Sequence, residues 1–230
     1  MNNNYLVIGD TQGPFHHDKT IPFLKRLKKE FKIPKENVLH CGDETDLCFM
    51  GNYPKNPNAT YTPTGELLAA REFIKELGDV FPIMRIAISN HMLRSARKAS
   101  ACEIPSMVMR SYEEIIAAPE GWKWKERWEI DTRHPVLLVH GMEFSSMYAY
   151  RQAPQMLGKS VAFGHLHTNG GTAWVKTMSY DAWGMSCGCL IDEEKYAFDY
   201  QRWNKFKPAL GSGVVLNDGR MPMFIPLDGV

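Results

Sequence analysis

The chain has 230 residues, 44% hydrophobic and 23% charged, enough apolar side chains to build one domain with a sizeable core and too many for a disordered chain. Lys and Arg number 27 against 26 Asp and Glu, a formal net charge of +1, which excludes a global field drawing the molecule onto nucleic acid or membrane; a polyanion would have to be read by local patches. No apolar run approaches the roughly 18 residues of a membrane-spanning helix, and the opening MNNNYLVIGD has neither the basic start nor the apolar stretch of a secretory signal, so a soluble, cytoplasmic protein is expected.

In chain order, short runs rich in β-branched residues at 5–8, 37–39, 83–89, 135–139 and 160–163 read as buried strands. Between the first three lie two helical patterns. Residues 19–32 carry Ile21, Phe23, Leu24, Leu27 and Phe31, and residues 65–77 carry Leu67, Leu68, Phe73, Ile74 and Leu77. Strand, helix, strand, helix, strand predicts an α/β sheet with crossover helices. Residues 172–190 and 213–227 are aromatic and β-branched; Asn217-Asp218-Gly219 marks a hairpin and residues 168–171 a turn. A second, more antiparallel sheet is expected there.

Two segments exceed a minimal frame. Residues 46–64, rich in Pro, Gly and Asn, form a candidate substrate loop. Residues 92–133, with a helical pattern near 107–118 and Trp122, Trp124 and Trp128, read either as a small cap over a site or as a helix and edge strand filling the core, and the aromatics favour the second. A single domain over residues 1–230 accommodates both.

Five cysteines, Cys41, Cys48, Cys102, Cys187 and Cys189, are odd in number and lack paired CxxC spacing, so reduced thiols are expected. Cys187-Gly188-Cys189 reads as buried strand cysteines around a glycine bulge rather than a redox pair. The sequon Asn58-Ala59-Thr60 is then chemically idle.

The chemistry lies at the carboxyl end of each apolar run: Asp10 after the first, Asp43 after the second, Asn90-His91 after the third, His140 after the fourth, His165-Leu166-His167 after the fifth. In an open α/β sheet, the carboxyl ends of the strands line the ligand crevice, so these residues can converge. Alone, each reads as a turn or capping residue; jointly, carboxylate, amide and imidazole donors suit Mn²⁺, Fe²⁺, Zn²⁺ or Co²⁺. His165 and His167 alternate on an extended segment and point the same way.

These motifs, Gly9-Asp10-Thr11-Gln12, Gly42-Asp43-Glu44-Thr45-Asp46, Ser89-Asn90-His91-Met92, His140-Gly141 and Gly164-His165-Leu166-His167, resemble the calcineurin-like metallophosphoesterase family, and the terminal pattern, including Tyr200 and Arg202-Trp203, looks like its small phage or prokaryotic members. The resemblance covers about two thirds of the chain. It implies a two-sheet β-sandwich core flanked by helices in four αββα layers, and a dinuclear site holding two divalent ions, Mn²⁺ first, with Fe, Zn, Ni or Mg as alternatives. Asp43 would bridge; Asp10, Gln12 and His167 would complete one ion, and Asn90, His140 and His165 the other. His91 would be catalytic, protonating the leaving oxygen or stabilising the charged transition state.

The implied activity is phosphoester hydrolysis, as a phosphodiesterase on DNA or nucleotides in the cytoplasm, the host's if phage-encoded. Phosphomonoesterase or small-nucleotide phosphatase is the alternative, and a non-catalytic scaffold, as in one retromer subunit, the rival of another class. Three positions depart from the family: Gln12 for a histidine, Ser89 for a glycine and Met92 for an acid. With Met92 the orienting partner of His91 has to come from elsewhere, Asp46 or Glu44. Arg94 and Arg97 are read as phosphate contacts or as an exposed helix face. His16 and His17 read as surface, His40 as a core histidine, and His134 has no evident role. Lys25, Arg26, Lys28, Lys29 and Lys32 read as a solvated helix face.

Overall fold

The computed structural model describes residues 3–51, 60–192 and 206–227. Asn58 and Ala59 of the sequon, the middle of the 46–64 loop, and Tyr200, Arg202 and Trp203 of the terminal pattern lie outside the described residues.

Each β-branched run becomes a strand. The chain runs β1 (Tyr5–Ile8), α1 (Thr20–Glu30), β2 (Val38–His40), α2 (Pro63–Val80), β3 (Met84–Ala87), α3 (Arg94–Ala101), α4 (Tyr112–Ile116), β4 (Trp122–Lys125), β5 (Trp128–Ile130) and β6 (Val136–Leu138). It continues through α5 (Ala149–Leu157), β7 (Ser160–Phe163), β8 (Gly170–Lys176), β9 (Asp181–Cys187), β10 (Gly211–Leu216) and β11 (Met221–Pro226). One sheet has the order β11-β10-β1-β2-β3-β4 and the other β5-β6-β7-β9-β8. In the first, β1, β2, β3 and β4 are parallel; in the second, β6, β7 and β9 are parallel and flanked by antiparallel edges.

Alternation along the strands sorts the core into layers. Leu6 and Ile8 point outward to Phe23, Leu24 and Leu27 of α1 and to Phe73, Ile74 and Leu77 of α2. Tyr5, Val7 and Leu39 point inward, where they meet Leu138, Ala162, Trp183 and Met185 of the other sheet. Leu137, Val139, Val161 and Phe163 face Ala149 and Ala153 of α5. The result is a two-sheet sandwich with helices on both outer faces, the fold class expected from the sequence. Trp183, fully buried between the sheets, donates its indole N–H to the Gly219 carbonyl at 2.9 Å; truncating such a residue to Ala costs about 3–5 kcal/mol.

The helices begin where local chemistry allows. The Thr62 hydroxyl accepts the Gly65 N–H ahead of Pro63 in α2, so an orphan donor is satisfied and proline occupies a first-turn position. Ser111 and Glu114 form a reciprocal capping box on α4. The basic side of α1 is largely exposed, as expected, apart from Lys28, which reaches the Val80 carbonyl at 2.9 Å.

Three expectations need correction. β10 and β11 do not join the second sheet: β10 pairs antiparallel with β1, Tyr5 opposite Val215, because the edge of β1 opposite β2 is open and period-two alternation does not specify which edge a strand takes. The helical pattern at 107–118 shortens to α4, with a separate 3₁₀ turn at Ser106–Val108. The turn expected at 168–171 falls earlier, since Gly170 and Gly171 already belong to β8. Unforeseen in the sequence is α5, whose pattern is masked by Pro154. In the 92–133 segment, β4 and β5 are edge strands of the two sheets and Trp122 is buried.

Candidate metal centre

β1, β2 and β3 of one sheet and β6 and β7 of the other all carry their carboxyl ends toward one edge of the sandwich. From those ends the chain delivers Asp10, Asp43, Asn90, His140, His165 and His167.

Tight backbone places the side chains. Gly42 sits at φ +100, where a Cβ would come within 2.7 Å of the Ala87 carbonyl oxygen and the Ser89 Cβ, so glycine is required immediately before Asp43. Asp43, Gln12 and His165 themselves have φ of +54, +45 and +65. Left-handed backbone at three donors is strain that the surrounding structure holds in place. The Gln12 N–H donates to the Asp43 carbonyl at 2.8 Å, and the His165 N–H donates to Asp10 Oδ2 at 2.8 Å. A Cβ at Gly164 would press into Asp10 Oδ1, so that carboxylate sits directly against bare backbone.

Two groups of donors result. In the first, atoms of Asp10, Asp43 and His167 lie within 4.8 Å of one another. His167 Nε2 is 3.2 Å from Asp10 Oδ2, and Gln12 Nε2 is 3.2 Å from His167 Nε2 and 3.5 Å from Asp43 Oδ2. In the second, His140 Nε2 lies 2.7 Å from Asn90 Oδ1, 3.2 Å from His165 Nδ1 and 3.6 Å from Asp43 Oδ2. Asp43 Oδ2 stands between the groups, near Gln12 on one side and His140 on the other.

Charge and hydrogen bonding show whether cations fit. Asp10 and Asp43 are buried, and buried carboxylates require compensating positive charge. Burial alone would raise the Asp43 pKa, yet the imidazoles of His91 and His140 and the Ser89 hydroxyl outweigh it and hold the carboxyl well below the usual range. Asp10 Oδ1 and Gln12 Oε1 are buried with no hydrogen-bond partner among the described residues. His140 Nδ1 donates to the Cys41 carbonyl at 2.9 Å, which leaves Nε2 as the lone-pair nitrogen turned toward Asn90 Oδ1, acceptor against acceptor. Burial and neighbouring His140 lower the His165 pKa. For His167, burial lowers the pKa but the Asp10 carboxylate more than reverses it. Converging acceptors, two orphaned oxygens and two buried carboxylates fit a pair of divalent ions with oxygen and nitrogen ligands.

His91 borders the site. Its N–H donates to Asp43 Oδ1 at 3.2 Å, its Nε2 is 3.6 Å from Asp43 Oδ2 and its Nδ1 is 3.5 Å from Asp46 Oδ1. Asp46 therefore faces the ring on the side where Met92 supplies no acid. Burial lowers the His91 pKa against the pull of Asp43 and Asp46. Glu44 turns elsewhere: it accepts the Trp124 indole N–H at 2.7 Å, and burial raises its pKa to about 7.

Arg94 lies beside His91 and Asp46, and Arg97 is exposed on α3. Ser89 is buried, with its oxygen accepting the Met92 N–H at 3.3 Å. His40 is buried, accepts the Gly42 N–H at 3.1 Å, and has its pKa lowered to about 4 by burial. His16 stacks on Phe73 with centroids 3.8 Å apart, the His17 ring accepts the Lys19 N–H, and His134 lies 3.3 Å from Arg220. Cys187 and Cys189 are buried on either side of Gly188, whose φ is +62, and neither forms a disulfide.

Sequence reasoning missed Glu66. From the first turn of α2 its carboxylate accepts the N–H of Cys48 at 2.6 Å and of Phe49 at 3.3 Å, anchoring the turn that follows Asp46. An acid near a helix start reads as ordinary dipole compensation, so nothing in the one-dimensional pattern singles it out.

No protein-family model matches the sequence, and no curated protein sequence matches it. Among solved structures the chain is similar to the protein TT1561 of Thermus thermophilus, at 10% identity over 98% of this chain and 99% of that one, with a TM-score of 0.42. A likeness of that order identifies neither a family nor an activity. Among the described residues no helix is long and apolar enough to cross a membrane.

Proposed function

We propose that the protein is a metal-dependent phosphoester hydrolase of the calcineurin-like metallophosphoesterase type, acting on phosphodiesters of nucleic acid or nucleotides in the cytoplasm. The observation that carries the reading is the gathering of six residues, Asp10, Gln12, Asn90, His140, His165 and His167, around the Asp43 carboxylate, the seven coming from the ends of five strands in two sheets.

Asp10, Gln12, Asp43 and His167 would hold one ion, and Asp43, Asn90, His140 and His165 the other, Mn²⁺ being the first candidate. Two such ions, when bound, supply a clamp on the phosphoryl group and an acidified water. The protein's own residues do the rest. The Cys41 carbonyl fixes the His140 tautomer, so that Nε2 faces the site. Asp43, kept ionised, gives negative charge between the two donor groups at any pH near neutrality. The His91 ring, beside Asp46, is the group that would protonate a leaving oxygen or stabilise the charge on it.

The test is turnover of bis-p-nitrophenyl phosphate and p-nitrophenyl phosphate with and without Mn²⁺, beside Asp43→Ala. Mn²⁺-dependent hydrolysis that Asp43→Ala abolishes is expected, with the diester preferred. Absence of metal-dependent turnover of either ester would return the site to the scaffold reading. A preference for the monoester would make the protein a phosphatase.

A further inference from the structure

Arg94 is the side chain whose surroundings depart furthest from its sequence reading. It starts α3 three residues after His91, its N–H donating to the His91 carbonyl at 3.0 Å, and a helical side chain at that spacing tilts back over the preceding turn. The guanidinium accordingly folds onto His91 and Asp46. Nη1 donates to the Asp46 carbonyl oxygen at 2.6 Å and to Asp46 Oδ1, while Nη2 lies 2.8 Å from His91 Nε2. The side chain is only 14% exposed and that of Asp46 is fully buried. Asp46 is fixed in turn by its N–H, which donates to the Gly13 carbonyl at 3.0 Å.

Hydrogen-bond chemistry then decides the state of the ring. A guanidinium has donors and no acceptor, so His91 Nε2 must be the accepting nitrogen and the ring proton of the neutral imidazole sits on Nδ1, facing Asp46 Oδ1 at 3.5 Å. Nη1 spends both of its donors on Asp46, and Nη2 turns one of its two to His91. We propose that Arg94 is a positioning residue that sets the tautomer and orientation of His91 through Asp46, and not a contact for the substrate. The consequence for catalysis rests on the hydrolase reading above, whereas the tautomer does not.

Two measurements test it. In the metal-free, ¹⁵N-labelled protein at neutral pH, long-range ¹⁵N–¹H spectra are expected to show His91 protonated on Nδ1 and bare on Nε2. Arg94→Met should move the proton toward Nε2, where Asp43 Oδ2 lies 3.6 Å away. Nε2 protonation in the native chain, or a spectrum unchanged by Arg94→Met, overturns the proposal. With Mn²⁺ and bis-p-nitrophenyl phosphate, Arg94→Met should lower kcat roughly tenfold or more with KM within about twofold. Combining it with His91→Ala should cost nothing beyond His91→Ala alone, as for residues acting as a unit.

A raised KM at unchanged kcat, or losses that multiply in the double variant, would make Arg94 a substrate contact and overturn the proposal. Arg94→Lys, a single point donor able to serve Asp46 or His91 but not both, should fall between the native chain and Arg94→Met, and replaces it where the Met variant does not fold. If the native protein shows no turnover with any metal, the hydrolase reading fails while the spectra still decide the tautomer.

Discussion

The two halves of the donor cluster differ in readiness. Around His140 the set is already gathered: Nε2 faces the site because Nδ1 is tied to the Cys41 carbonyl, and Asn90 Oδ1 and His165 Nδ1 lie within 3.2 Å of it. Around His167 one donor is turned the wrong way. Gln12 presents its Nε2 to His167 and Asp43 while its Oε1 is buried without a partner among the described residues. A half-turn of that amide exchanges the two atoms in the same space. To hold an ion, the Gln12 half would need that half-turn, whereas the Asn90 half would not.

The largest expected effect comes from removing the carboxylate that the halves share. Asp43→Ala should abolish metal-dependent turnover, by about 10³-fold or more, and reduce Mn²⁺ stoichiometry measured by calorimetry. A variant that keeps both ions and full activity would show that Asp43 joins nothing and that the two halves are separate sites. His91→Ala should lower kcat by roughly 10²–10⁴-fold with Mn²⁺ stoichiometry unchanged, since the ring borders both halves and ligates neither.

Gln12→His tests the contrast in the other direction. Imidazole is a better ligand for these ions than a neutral amide, and it needs no amide turn, so the weaker of two Mn²⁺ binding steps should tighten by about tenfold while the stronger step stays put. If instead the stronger step tightens, the order of readiness is reversed.

The smallest effect concerns His40, which sits behind Asp43 and Thr11. Its folded pKa of about 4 lies below the ordinary 6.5, so the unfolded chain takes up a proton that the folded one refuses as pH falls from about 6.5 toward 4. Stability is therefore intact above pH 6.5 and lost progressively below it, by an amount of the order of 2 kcal/mol. Urea unfolding of the metal-free protein at pH 7 and pH 4.5, beside His40→Asn, measures it. A ring signal titrating near pH 6.5 in the folded protein would remove this contribution.

Legibility in the sequence followed the physics of each feature. The strands that carry donors were readable because a fully buried strand must be a continuous apolar run, and Tyr5–Ile8, Val136–Leu138 and Ser160–Phe163 have little else. The residue just past such a run is free to be polar, so Asp10, Asp43, Asn90, His140, His165 and His167 stood out. Sheet membership of β10 was not readable, because its alternation is satisfied equally against either open edge. Nor was the Arg94, Asp46 and His91 contact. It joins a residue after β2 to a helix after β3, and only the folding back of Arg94 over its own first turn brings the guanidinium there. Glu44 and Asp46 were equal candidates to face His91 until Trp124 claimed the first.

The central claim is best tested by crystals grown in Mn²⁺ and measured at its absorption edge. Two anomalous peaks flanking the Asp43 carboxylate, about 3.5–4 Å apart, are the expected result, one against Gln12 and His167 and the other against Asn90 and His165. A map with no peak beside Asp43, or with manganese bound only at surface carboxylates, would contradict the account.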